Sequence, residues 1–336
     1  MHVMTPTSTG WMSEHGIAPG PDQRKPMTRD RAIVDSVLPG FGETGTVGFM
    51  AGPSGAGTST VLMHLAHCVA TDRPFFGRDV LVPGGTLIVA GSDINGHLWR
   101  RTAQKRRSGD PTALPICVTE SPGVSLTSAD GRMWLEAEIE DVKAHHAAMG
   151  TTLRLVVIDA LRLCLFLRDE NSNAEATAVM NQLRAVSQAH GVVVLVAHHF
   201  PKAGRKLAGA RAFATGSDFV LFVEMCKAGR ARPAARPSAS GPKASPTDAE
   251  ISAMPPDALM RLLWGADDDA PTALQRRTLS VEKSSVGPAG PIGDFEIHAD
   301  VMRRQPLPKG KVRTIWGTYI AELSNARGAR RVGGFS

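Results

Sequence analysis

Three segments of the chain are almost unbroken runs of branched apolar residues: TLIVA at 86–90, LRLVVI at 153–158 and VVVLVA at 192–197. A strand with one face in water alternates apolar and polar residues. A near-continuous run belongs to a strand covered on both faces, as in a parallel sheet. Shorter β-type runs stand at 46–50, 116–119 and 219–223, and helical patterns fill the gaps at 59–70, 97–107, 131–149 and 174–189. Strand–helix alternation of this kind predicts an α/β domain, with a mostly parallel central sheet and helices on both faces. Runs at 277–283 and 294–297 predict C-terminal closing strands.

The 336 residues are 42% hydrophobic and 21% charged, which suits a chain with a sizeable core and not a disordered one. No stretch reaches the ~18 apolar residues of a membrane span. The first 25 residues carry no apolar segment of a signal peptide. Cys68, Cys117, Cys164 and Cys226 form no C-x-x-C pair. They read as reduced structural thiols, and with no signal segment they point to the cytoplasm. Residues 1–32 read as a loose N-terminal tail and 226–276 as a flexible insertion, its first part rich in Ala, Pro, Ser and Arg. Within that insertion a short helical piece is expected at 257–264.

The net charge of +6 is unevenly placed. Residues 302–336 carry +7, with Glu322 their only acid, and residues 226–247 carry +5, which leaves −6 for the rest. Residues 298–336 therefore read as a basic tail. An anionic partner would meet these appendages and not the acidic body. One tyrosine and five scattered tryptophans give no stacking platform for single strands.

The first motif lies at the end of the 46–50 run. Gly52, Pro53, Ser54, Gly55, Ala56, Gly57, Thr58, Ser59 and Thr60 lead from a strand into an amphipathic helix. In a phosphate-binding loop, successive backbone N–H groups and a helix N-terminus surround the anion, and glycines permit the tight path. Gly52, Gly57 and Ser59 match G-x-x-x-x-G-K-[ST], but Thr58 stands where the pattern has lysine. A glycine-rich turn at a strand–helix junction would look the same. The second motif is the run at 153–158 followed by Asp159, an acid at a strand's end that suits a Mg²⁺ site or a helix cap.

In their order and spacing these segments resemble the RepA-type ATPases, a RecA-like group of plasmid and phage replication proteins. The resemblance covers 33–225 and resumes at 277–297. It rests on an LPG turn (Leu38-Pro39-Gly40), the loop at 52–60, the stretch from Ala70 to Gly77, Asp159, the Asp169-Glu170-Asn171 loop, the His198-His199 pair with Lys202, and Lys283. It implies a RecA-like P-loop NTPase domain over 33–297, ATP with Mg²⁺ as cofactors, a homo-oligomer, and non-specific DNA contact through 226–247 and 302–336. It also implies roles. Ser59 and Asp159 would hold the metal, and His198 would contact the γ-phosphate. Lys202 and Arg211 would offer phosphate contacts. Lys283 would reach a neighbouring subunit's nucleotide, or else simply face solvent.

Three charged positions of the family pattern are changed. Thr58 replaces lysine, Ser92 replaces the glutamate that orients the attacking water, and Ala208 takes an arginine's place, with Arg211 three residues away. Asp93 follows Ser92 and would serve as the acid only if the chain is no longer extended there. Losing one electrostatic donor in an active site costs ~10²–10³ in rate. Two functions stay open: a helicase-type ATPase with impaired catalysis, or a non-catalytic scaffold or DNA-binding relative.

Overall fold

The computed structural model describes residues 36–38, 41–110, 113–199, 207–226, 276–285, 288–306 and 312–323, with backbone alone at 300–306 and 312–316. Lys202, residues 1–35, most of the expected insertion and residues 324–336 lie outside the described residues.

A short ribbon of β1 (Ser36–Leu38) and β2 (Gly42–Glu43) precedes the main sheet. Among the described residues the sheet has nine strands: β3 (Val47–Gly52), β4 (Gly85–Ala90), β5 (Ile116–Glu120), β6 (Leu153–Asp159), β7 (Val193–His199), β8 (Phe219–Met225), β9 (Arg277–Ser284), β10 (Gly290–Pro306) and β11 (Val312–Leu323). Their spatial order is β11-β10-β9-β8-β3-β7-β6-β4-β5. The six strands from β8 to β5 are parallel, and β9, β10 and β11 are added antiparallel. Every residue of β3 and β4 is buried, as their unbroken apolar runs require.

Helices cover both faces. On one lie α1 (Thr58–Thr71) and α2 (Ile94–Ser108); on the other lie α3 (Ala129–Ala148), α4 (Leu161–Leu165), α5 (Asn173–His190) and α6 (Arg211–Gly216). Helix α3 buries Leu135, Ile139, Val142 and His146, spaced four, three and four apart, which is one helical stripe. The hydroxyl of Ser172 caps α5 by accepting from Glu175 N–H, and Glu175 Oε2 accepts from the Arg168 backbone N–H at 3.1 Å. Helix α1 differs: residues 60–69 are all buried. One side of α1 rests on the sheet, and β11 crosses the other.

That covering strand belongs to the segment expected as a basic tail. Residues 298–306 continue β10, and 312–323 form β11, so the closing strands extend to Leu323. The physical reason is apolar burial: Tyr319 and Ile320 are buried, and Ile320 pairs with Ile297 across the hairpin.

Candidate functional site

The carboxyl ends of the central strands lie level. Ala51 pairs with His198 and Gly52 with His199, and Ala90 pairs with Asp159. Strand β7 stands between β3 and β6, so a crevice opens where the connections part. Into it run the loop after β3, the end of β6 and the start of α2.

The loop takes the path its glycines allow. Gly55 and Gly57 have φ of 79° and 91°, a left-handed backbone that favours glycine. A side chain at Gly52 would come within 2.7 Å of the Val223 carbonyl. Ala56 is buried, while Ser54 and Gly55 are exposed at the tip. The chain then enters α1 with Gly57 as its N-cap and no side chain capping it, which leaves its first N–H groups without a side-chain acceptor.

Asp159 ends β6 and is almost buried, with a side chain 11% exposed. Burial alone would raise its pKa. His97, the Ser59 hydroxyl and Arg100 outweigh that and hold the carboxyl below the ordinary carboxylate range. His97 Nε2 lies 3.2 Å from Asp159 Oδ2 at ion-pair distance. His97 is the polar neighbour of Oδ2, at an angle short of a well-formed hydrogen bond, and the buried Nδ1 of His97 has no hydrogen-bond partner. The structure thus brings Ser59 and Asp159 together across the crevice. A hydroxyl and a carboxylate held ionised fit a Mg²⁺ that would take its other ligands from phosphates and water. Among the described residues no group of three or more His, Cys, Asp or Glu is placed to hold a metal by itself. Thr58 does not fit the lysine's part, since a hydroxyl carries no charge.

His97 has no counterpart among the residues singled out from the sequence. Its importance comes from one side chain at the start of α2 reaching the acid at the end of β6, and no local pattern announces that.

The remaining expected residues are placed as follows. Asp93 has left the strand. It caps α2 with φ 55°, accepts from Gly96 N–H at 3.1 Å and pairs with Arg100 at 3.1 Å. Ser92 is exposed beside it. His198 is turned away from α1, because Val194, Val196 and His198 share the strand face that packs on Phe49 and Phe213. Its Nε2 meets the Ala208 carbonyl at 2.9 Å, and Glu170 lies 3.4 Å away. Burial lowers its pKa, against the raising effects of the Ala208 carbonyl and Glu170. The exposed His199 takes the α1 side. Lys283 donates to the carbonyls of Ala214, Thr215 and Ser217 at the end of α6. Arg211 is exposed in the first turn of α6. Asp218 accepts from Val47 N–H and from Arg184, both at 2.9 Å, and so fixes the start of β3.

A glycine loop between strand and helix at the carboxyl edge of a parallel sheet, with an acid two strands away, defines a P-loop NTPase domain of RecA-like fold. The chain belongs to the AAA domain family: the family model AAA_25, described as an AAA domain, matches residues 27–205, more than half of its 336 residues. No curated protein matches it. Among solved structures, the "ATPase Domain of G40P" aligns at 12% identity and a TM-score of 0.47, covering 79% of this chain and 89% of that one. No helix of the described residues is long and apolar enough to cross a membrane.

Proposed function

We propose that the chain is a RepA-type, RecA-fold protein that binds ATP with Mg²⁺ on the loop at 52–60. It acts in the cytoplasm as a ring-forming homo-oligomer on DNA, in replication or recombination, as a helicase-type motor. The observation that carries this reading is the Ser59–Asp159 pair beside the glycine loop, with the Asp159 carboxyl held ionised. In this reading Mg²⁺, when bound, offsets the charge of the β- and γ-phosphates. Ser59 and Asp159 would hold it, and the α1 N-terminus would receive the phosphates.

A second reading is favoured by Thr58, and by Ser92 with Asp93 engaged as a helix cap. It holds that nucleotide is bound without turnover and that the chain works as a scaffold or DNA-binding partner. Equilibrium binding and steady-state hydrolysis of Mg-ATP decide between the two, measured on wild type, Asp159→Asn and Thr58→Lys. Binding with turnover, abolished by Asp159→Asn, supports the motor. Binding without turnover supports the scaffold. No binding by wild type or by Thr58→Lys removes the nucleotide reading altogether.

DNA contact needs a differently designed variant, because cutting at 302 would delete β11. Truncation after Leu323, combined with Ala at Lys227, Arg230, Arg232, Arg236 and Lys243, keeps every described strand. Each lost phosphate contact should flatten the slope of log affinity against log salt by about 0.9 for duplex DNA. Unchanged affinity and slope would show that residues 226–247 and 324–336 do not meet DNA, leaving Arg303, Arg304, Lys309, Lys311 and Arg313 as the basic residues of the C-terminal segment to replace next.

A further inference from the structure

The loop lacks its lysine, yet a largely buried cation stands beside the acid across the crevice. Asp93, His97 and Arg100 are spaced four and three residues apart, so they share one face of α2. That face turns to the end of β6, where His97 lies 3.2 Å from Asp159. Arg100 belongs to the same electrostatic group as Asp159 and Ser59. Its side chain is 20% exposed, and its Nε is buried without a hydrogen-bond partner. A terminal amine donates to Asp93 Oδ2 at 3.1 Å. A surface arginine normally carries its head group out to water. This one is four-fifths buried, acts electrostatically on Asp159, and has donor capacity left over.

Among the described residues, the other cations near the site have different work or a different place. Arg101 donates to the Ile116 carbonyl at 2.7 Å and so secures β5. Lys283 is engaged by three carbonyls of α6 and its end. Arg211 is itself exposed, in the first turn of α6.

We propose that Arg100 supplies the phosphate-facing cation that Thr58 does not, contacting the terminal phosphate of a nucleoside triphosphate seated on the loop. The inference rests on the nucleotide reading above and names the residue that completes it. A guanidinium presents a planar fork that can bond two phosphate oxygens at once, whereas a loop lysine offers a point charge. Asp93 holds the fork in place before the nucleotide arrives. Its carboxylate is 59% exposed, so the pair is weak and exchanges readily for a phosphate. Asp93 is then the holder of the cation and not the base that activates water.

The test titrates fluorescent Mg-ATP and Mg-ADP analogues into wild type, Arg100→Gln, Arg100→Lys, Thr58→Lys and the Thr58→Lys/Arg100→Gln double variant. Losing a charge-assisted contact predicts a ~10–100-fold weaker triphosphate for Arg100→Gln, with diphosphate weakened less than about threefold. Arg100→Lys should fall between. Thr58→Lys should recover triphosphate binding in the Arg100→Gln background and add little to wild type. Triphosphate binding unchanged in Arg100→Gln overturns the proposal, as does equal weakening of both nucleotides or an equal gain from Thr58→Lys in both backgrounds. If Arg100→Gln fails to fold, Asp93→Asn retains a capping oxygen and frees the guanidinium. It should tighten triphosphate binding severalfold, and unchanged or weaker binding overturns the proposal. Wild type that binds neither nucleotide, while Thr58→Lys binds, removes Arg100 but leaves the site. Failure of both proteins to bind removes the nucleotide reading and this inference with it.

Discussion

The Glu322 carboxylate meets the His64 imidazole at 2.7 Å, tying the last strand of the sheet to the middle of α1. Gln104 Nε2 lies 3.1 Å from His64 Nδ1, so Nδ1 accepts and Nε2 carries the proton offered to Glu322. The same carboxylate oxygen accepts from Phe76 N–H at 2.8 Å. Nearby, the Thr60 and Thr318 hydroxyls are 2.9 Å apart, and the Arg107 guanidinium stands 4.9 Å over the Tyr319 ring. These contacts close β11 over α1. Glu322→Ala strands two donors and should cost about 1–3 kcal/mol. The expected readout is a lower urea midpoint with faster amide exchange in α1 and β11. An unchanged midpoint would mean that apolar contacts alone hold the hairpin. Glu322→Gln keeps an acceptor and should recover part of the loss.

This hairpin also shows where the sequence stops being legible. Charge counting over 302–336 treats Glu322 as a lone acid in a basic tail, but the structure uses it as the docking point of a strand. Averaging over the segment hides Tyr319 and Ile320, and the bulge between Val301 and Arg303 breaks the alternation a strand should show. The parallel core was readable because burial on both faces leaves an unmistakable apolar run. Helix α1 was expected as amphipathic, with one face in water, but residues 60–69 are all buried; TSTVLMHLAHCVAT has no Asp, Glu, Lys or Arg, which suits a helix covered on both sides. The loop and Asp159 were readable as motifs. His97 was not, because its position depends on two elements that are distant in sequence, and the orientation of His198 depends on a strand's phase.

Stability should fall with acid through one buried residue. His67 is 2% exposed, and burial pushes its pKa down to about 4, against the raising effect of its Asp110 partner at 3.1 Å. The unfolded chain takes up a proton near pH 6.5, and the folded one resists until about pH 4. Between those values the unfolded state binds more protons, so stability rises with pH and is lost as pH falls through that window. The full effect is about 3 kcal/mol. Urea midpoints measured between pH 7.5 and 4.5 should decline more steeply in wild type than in His67→Gln. Parallel profiles would show that the folded state accommodates the charged ring.

Lys283 offers a test of structure against catalysis. Its ammonium gathers carbonyls at the C-terminal end of α6, where a positive charge suits the helix dipole. Lys283→Met should cost roughly 1.5–3 kcal/mol, the range for hydrogen bonds to a charged group, and lower Tm by several degrees. Arg at this position should restore much of it. If Lys283→Met instead left Tm unchanged and removed only turnover, the side chain would be acting on nucleotide in a neighbouring subunit.

Gly57 is held by two independent constraints, and they can be separated. Its φ of 91° disfavours any side chain, and a Cβ there would stand 1.9 Å from Ile297 Cδ1. The backbone term is worth ~1–2 kcal/mol and the overpacking ~1–3 kcal/mol. Gly57→Ala should therefore destabilise by about 2–5 kcal/mol. Ile297→Ala alone opens a cavity at a residue 7% exposed and should cost ~2–4 kcal/mol. In the double variant the new methyl enters the space the isoleucine leaves. The steric part should then vanish, so the pair destabilises by less than the sum of the single changes, by roughly the overpacking term. Strict additivity in urea denaturation would show that the loop moves away from β10 when Gly57 is replaced, and that the contact between them is not what fixes its path.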